Sequence, residues 1–240
     1  MNRSRIEWCD VTWNPLTGCE NGCPYCYARR IASRFATGQA QGNDLMICTE
    51  KKPFPYGFQP TFYLNRLTDP SRRKEGMNVF VCSMGDLFAP WVPDDIIMAV
   101  MDAALKAPQH TYMFLTKFPD RYRELHRDMV LPIEKNFWYG VTMERLEDID
   151  LDIPNLFVSY EPILEAPITG LKQGSTSIKW LILGAETGNR AGKVIPEGWW
   201  IDEAEDWAQD NGVPVFEKNS LKDILDRPLL QQFPEAMDED

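Results

Sequence analysis

The run Gly18-Cys19-Glu20-Asn21-Gly22-Cys23-Pro24-Tyr25-Cys26-Tyr27-Ala28 places three cysteines at C-x3-C-x2-C spacing. Three thiolates on one short loop are one ligand short of a closed tetrahedral zinc site. They are also one short of the set that ligates every iron of a cubane cluster. Such a loop leaves one iron open to a ligand that is not protein. Gly18 and Gly22 give the backbone freedom that a tight loop needs, and amides without side chains can approach the sulfurs. From Cys26 onward, Tyr27 to Phe35 reads as a helix with Ile31 and Phe35 four apart on one face. Its N-terminal end, partly positive, is expected beside the cysteines.

Competing uses of these residues are weaker. Cys9, Cys48 or Cys82 could serve as the fourth ligand of a structural zinc, but none sits in a second C-x2-C knuckle. These three read better as buried thiols. The opening Met1-Asn2-Arg3-Ser4-Arg5 lacks the apolar stretch of a secretory signal, so a disulfide scaffold is not expected. His126 falls in a polar helix and His110 in a loop after Pro108, neither with a ligand-spaced partner. Gly184 and Gly188 do not make a phosphate-binding fingerprint.

Elements must carry this loop, and the chain supplies short apolar runs for them. Val11 to Trp13, Val79 to Val81, Tyr112 to Leu115, Phe137 to Val141, Leu156 to Val158, Trp180 to Leu183 and Val213 to Phe216 read as buried strands. Helices are expected over Pro93 to Leu105, Asp120 to Met129 and Gly198 to Asn211. The first carries an apolar stripe of Ile96, Ile97, Val100, Met101, Ala104 and Leu105; the last stops at Asn211-Gly212. Thr37 to Asp69, rich in Gly, Pro and polar residues, reads as an irregular excursion. Strands alternating with helices imply parallel βα units. The two architectures that fit are an incomplete (β/α) barrel open on one side and a doubly wound sheet. In parallel barrels, working residues lie just after the strands. Polar groups fall there in series: Ser83, Gly85 and Asp86; Lys117; Thr142; Glu161; Glu186; and Lys218.

The cysteine spacing, with an aromatic residue, Tyr25, before the last cysteine, resembles that of the radical S-adenosylmethionine (radical SAM) enzymes. The resemblance extends along the chain. Trp13-Asn14-Pro15, Ser83 to Phe88, Leu115-Thr116-Lys117, Gly140-Val141-Thr142, Ser159-Tyr160-Glu161-Pro162 and Gly184 to Gly188 are similar to an uncharacterised phage and bacterial three-cysteine-motif family in that superfamily. That family is more distantly similar to spore photoproduct lyase. The resemblance implies a partial TIM-like (β/α)6-7 barrel of the radical SAM type, with a [4Fe-4S] cluster on Cys19, Cys23 and Cys26 and SAM on its open iron. It implies reductive cleavage of SAM and hydrogen abstraction from an unidentified substrate, for which a nucleic-acid component is one candidate. Ser83, Lys117 and Thr142 match in type and order the groups that hold the methionine end of SAM in the lyase, with Asp86 beside them. Gly85 belongs to the same SAM-contacting loop, and Tyr25 offers its backbone to the adenine. Glu161 and Glu186 have two readings: contacts to substrate, ribose or sulfonium, or ion pairs with Arg190 or Lys218. Ala185 and Thr187 depart from the glycine and serine usual in the family, which puts backbone contacts there in doubt. No residue stands out as a catalytic hydrogen donor. The alternative function is a zinc- or cluster-stabilised, non-catalytic binding module of a phage or mobile element.

At 240 residues and 44% hydrophobic content, one domain over 1–233 is expected, followed by an acidic, frayed tail over 234–240. The net charge is -11, and residues 197–240 hold 13 acidic against 3 basic side chains. That balance argues against a broad nucleic-acid-binding surface, leaving local groups such as Arg29, Arg30 and Arg34, or Lys117, Arg121, Arg123 and Arg127. No run is long enough to span a membrane, and a cytoplasmic setting is expected. An external electron donor is implied, and a separately encoded partner protein is a candidate to cover an open barrel side.

Overall fold

The computed structural model describes residues 1–36, 45–172 and 176–238. The chain divides into two compact units, Met1–Pro132 and Ile133–Asp240. Both mix helices with mostly parallel strands.

The first unit contains β1 (Asn2–Arg3), β2 (Val11–Trp13), β3 (Leu16–Thr17), α1 (Tyr27–Ala32), β4 (Met46–Cys48), β5 (Thr61–Tyr63), β6 (Asn78–Val81), α2 (Asp94–Leu105), β7 (Thr111–Thr116) and α3 (Pro119–Arg127). Strands β2, β6 and β7 run parallel, with Val11 beside Val79 and Val79 beside Tyr112, while β1 joins β2 antiparallel. Their buried side chains include Trp13, Phe80, Tyr112 and Phe114, and Trp8, in the turn before β2, is buried beside Phe80. Helix α2 starts with Asp94 and Asp95, which favour its positive end, and buries Ile96, Ile97, Val100, Met101 and Ala104. Leu105, read as part of that stripe, is exposed.

Two expectations for this unit change. The helix after the cysteines ends at Ala32 rather than Phe35, and it buries Ala28 and Ala32. Ile31 and Phe35 face solvent at 37% and 49% exposure, so their four-residue spacing marks an outer face. In the segment read as an irregular excursion, residues 37–44 lie outside the described residues, but β4 and β5 join β3 in a small sheet of order β3-β5-β4. Thr61, Phe62 and Tyr63 are all buried, and the Arg66 guanidinium covers the Tyr63 ring at 3.5 Å. Strands this short show no alternation over a window long enough to read.

The second unit contains β8 (Phe137–Met143), β9 (Leu156–Tyr160), β10 (Ile178–Leu183), α4 (Gly198–Asp210), β11 (Val215–Glu217) and a terminal turn of helix, α5 (Glu235–Asp238). The order is β8-β9-β10-β11, all parallel. Every residue of β9 is buried: the apolar run Leu156 to Val158, and Ser159 and Tyr160 after it. Gly140 lies beside Phe157, and an added Cβ would stand 2.2 Å from the ring, so the strand needs glycine there. Among the described residues no helix joins β8 to β9 or β9 to β10, so the βα alternation holds in this unit only at α4. Helix α4 stops at Asn211, followed by Gly212 at φ +65°, as the Asn-Gly pair predicts. The tail expected to fray forms α5 after buried Pro234, and residues 239–240 lie outside the described residues. No described helix is long and apolar enough to cross a membrane.

Candidate functional site

In the first unit, parallel β2, β6 and β7 end on one edge and deliver Asn14, Ser83 and Lys117 to it. Asn14 organises this edge. Its Oδ1 accepts from Ser83 Oγ at 3.2 Å and from Met84 N at 2.9 Å, while its own carbonyl accepts from Arg66 at 2.7 Å. Cys82, directly after β6, turns the chain at φ +57°, and its buried thiol is pushed up to about 12. The loop beyond it meets the start of the cysteine loop: Gly18 N donates to Met84 O at 2.8 Å, and Gly18 bridges Gly85. A Cβ on Gly18, at φ +87°, would stand 2.3 Å from Gln59 O, and one on Gly85 would stand 2.9 Å from Gly18 O. Only glycines allow this approach.

The cysteine loop is held from several sides. Cys19 N donates to Phe58 O at 3.2 Å, Arg29 Nη2 donates to Cys19 O at 3.0 Å, and the Arg29 guanidinium covers Phe58 at 4.9 Å. Tyr27 Oη donates to Ser83 O at 2.7 Å, tying the start of α1 to the loop after β6. Backbone amides meet two of the sulfurs: Asn21 N donates to Cys19 Sγ and Arg29 N to Cys26 Sγ, both at 3.4 Å. Cys26 is the cap of α1. All three cysteines are free thiols of intermediate exposure. Burial chiefly pushes the Cys19 thiol up to about 12, with smaller contributions from Asp86, Cys23 and Cys26. An apo thiol there stays protonated; a bound metal cation would reverse that. Among the described residues no three His, Cys, Asp or Glu side chains are gathered as ligands of a single ion. A cubane does not ask for that, because each thiolate takes a different iron and the sulfurs stand further apart. The amide donors at Cys19 Sγ and Cys26 Sγ are the kind of contact that the sulfurs of an iron-sulfur site receive, with buried Asp86 the carboxylate whose charge reaches Cys19.

Lys117 lies with its Nζ 5.4 Å from the centre of the Tyr25 ring, which brings the end of β7 to the aromatic residue of the motif. Buried Asp86 splices the neighbouring strand ends. Its Oδ1 accepts from Thr116 Oγ1 at 2.7 Å and Phe88 N at 3.2 Å, and its Oδ2 accepts from Lys117 N at 3.0 Å. Burial raises the Asp86 pKa despite these donors. His110 is buried against Pro70 O, at 3.1 Å, and Tyr112. Cys48 and Cys82 are buried thiols as expected, while half-exposed Cys9 hydrogen-bonds Ser4.

The second unit carries the remaining candidates on the corresponding edge of its own strands. Thr142 lies near the end of β8, beside Ser159. Glu161 follows β9 and pairs with Lys218, and Gly184 makes room for it, since a Cβ there would stand 2.9 Å from the Glu161 carboxyl carbon. Glu186 is buried and accepts two bonds from Arg190, each 2.7 Å; these hold its pKa below the usual carboxylate range. Both ion pairs foreseen as one of two readings are therefore present. Sequence reasoning missed a third cluster: fully buried Glu217 accepts two bonds from Arg227, each 2.9 Å, and one from Leu230 N, while Arg227 also pairs with Glu205. Asn14 was missed as an organiser. Its place directly after β2, by the strand-end rule applied to Ser83 and Lys117, is the signal that finds it.

The family model described as a protein of unknown function (DUF5131) matches residues 3–222, and the chain belongs to that family. Comparison with curated proteins and with solved structures gave no match.

Proposed function

We propose that this DUF5131 member is a radical SAM enzyme, with Cys19, Cys23 and Cys26 holding a [4Fe-4S] cluster. The observation that carries the reading is the C-x3-C-x2-C loop docked on the strand edge that presents Asn14, Ser83 and Lys117. The cluster and SAM, when bound, supply one-electron cleavage of the sulfonium and removal of a hydrogen atom from a substrate, fed by an external electron donor. The chain's own part is binding and orientation. Ser83 gives its hydroxyl hydrogen to Asn14, so its lone pairs remain to accept from an ammonium group. Lys117 offers a charge-assisted bond to the SAM carboxylate beside Tyr25. Asp86, through Thr116 and the Lys117 amide, sets where that lysine leaves the strand. Thr142 extends the polar series. Glu161 and Glu186 are already neutralised by Lys218 and Arg190, and would reach a ligand only by exchanging partners.

The reading brings with it an open (β/α) barrel, a cytoplasmic setting and a separately encoded partner as candidate cover for the open side. Anaerobic purification with iron, sulfide and absorption analysis tests it, followed by a search for 5′-deoxyadenosine after adding SAM and dithionite. Iron with sulfide and reductant-dependent SAM cleavage are expected. One tightly held zinc without sulfide would instead mark the non-catalytic module.

A further inference from the structure

The outward side of the short helix after the cysteines has a composition unlike the rest of this acidic protein. Tyr27, Ile31 and Phe35 stand four apart and are 42%, 37% and 49% exposed. Arg30, in the helix, and Arg34, in the turn that follows it, are exposed as well, and residues 24–36 contain no acidic residue. Among the described residues neither arginine pairs with a carboxylate, whereas Arg72, Arg121, Arg123, Arg127, Arg190 and Arg227 all do. Phe54 packs against Phe35 with ring centres 6.3 Å apart, and Lys51 is exposed three residues before it. A short exposed segment that carries guanidinium and aromatic groups together offers phosphate contacts and stacking platforms. An acidic peptide would use only the charges. We propose that this face binds single-stranded nucleic acid. As a substrate site it rests on the proposed function, but as a binding surface it does not, and its test reads affinity alone.

Binding of the full-length protein to a labelled single-stranded oligonucleotide should be measured at several salt concentrations, with polyglutamate as competitor. The double variant Arg30→Gln/Arg34→Gln should bind at least about tenfold more weakly and lower the slope of log affinity against log salt by about 1.4. Phe35→Ala should weaken binding about fivefold or more while leaving that slope unchanged. Arg72→Gln/Arg73→Gln, elsewhere on the same unit, should change little. The proposal is overturned by absence of binding at low salt, by equal binding of the double variant, or by polyglutamate competing as well as unlabelled oligonucleotide. Failure on any of these leaves cluster content and SAM cleavage to be judged separately.

Discussion

At the scale of single residues, two charged groups carry separable tasks. Lys117 sits by Tyr25 with its amide held by Asp86, so removing its ammonium should leave the strand edge in place. Lys117→Met is expected to weaken SAM binding about tenfold, the cost of one charge-assisted hydrogen bond, with iron content unchanged. Equilibrium binding to the reconstituted protein checks this, and an affinity within about twofold of the parent would remove Lys117 from the site. Glu205 carries a different signature. Burial, and then the Glu217 side chain beside it, push its carboxyl up to about 8. Burial also acts to raise Glu217, but bonds from Arg227, Glu205 and Leu230 N outweigh it and bring its pKa below the usual value. A carboxyl raised on folding stabilises fully below its unfolded value and loses that contribution as pH climbs through its folded value. Stability should therefore fall by about 1–2 kcal/mol as pH rises from 6 to 9. Glu205→Gln, which keeps a neutral donor beside Glu217, should flatten this alkaline slope in thermal melts while leaving the acid-side loss due to Glu217.

At the scale of elements, the junction of the cysteine loop with the loop after β6 depends on glycine. A methyl at Gly18 has carbonyl oxygen in its way and a backbone angle that other residues resist. Gly18→Ala is expected to cost about 2–4 kcal/mol and to lower iron incorporation. Unchanged melting and full iron content would show that the loop docks otherwise. The need for glycine there was legible as loop freedom, but its partner, Gly85, was not, because the approach joins residues far apart in sequence. Strands β6 to β10 were legible because each is a run of apolar residues long enough to bury on both faces. Strands β1, β3, β4 and β5 were not: two or three residues carry no period, and β2 and β11, equally short, were legible only as apolar runs in the βα pattern. The short α1 shows the limit of spacing arguments: Ile31 is exposed and Phe35 lies beyond the helix end, while Ala28 and Ala32 are what it buries. Ser83 and Lys117 were found from their places after strands. The Glu205, Glu217 and Arg227 cluster was not, because it joins a helix, a strand and a loop with no common spacing.

At the scale of the whole molecule, charge divides along the chain. Residues 1–132 hold 16 basic and 14 acidic side chains, and residues 133–240 hold 9 and 22. The cysteine loop thus belongs to the half of the sequence whose charges nearly balance. In the other half the carboxylates on the strand edge, Glu161 and Glu186, each meet a cation, so acidity there is partly neutralised where the strands end. The proposed chemistry turns on what the three cysteines hold. The most direct test is iron and acid-labile sulfide per chain in anaerobically purified protein, with Cys19→Ala, Cys23→Ala and Cys26→Ala alongside. The account requires about four of each per chain, lost in every single variant. Zinc without sulfide, or iron and sulfide that survive removal of any of the cysteines, would contradict it.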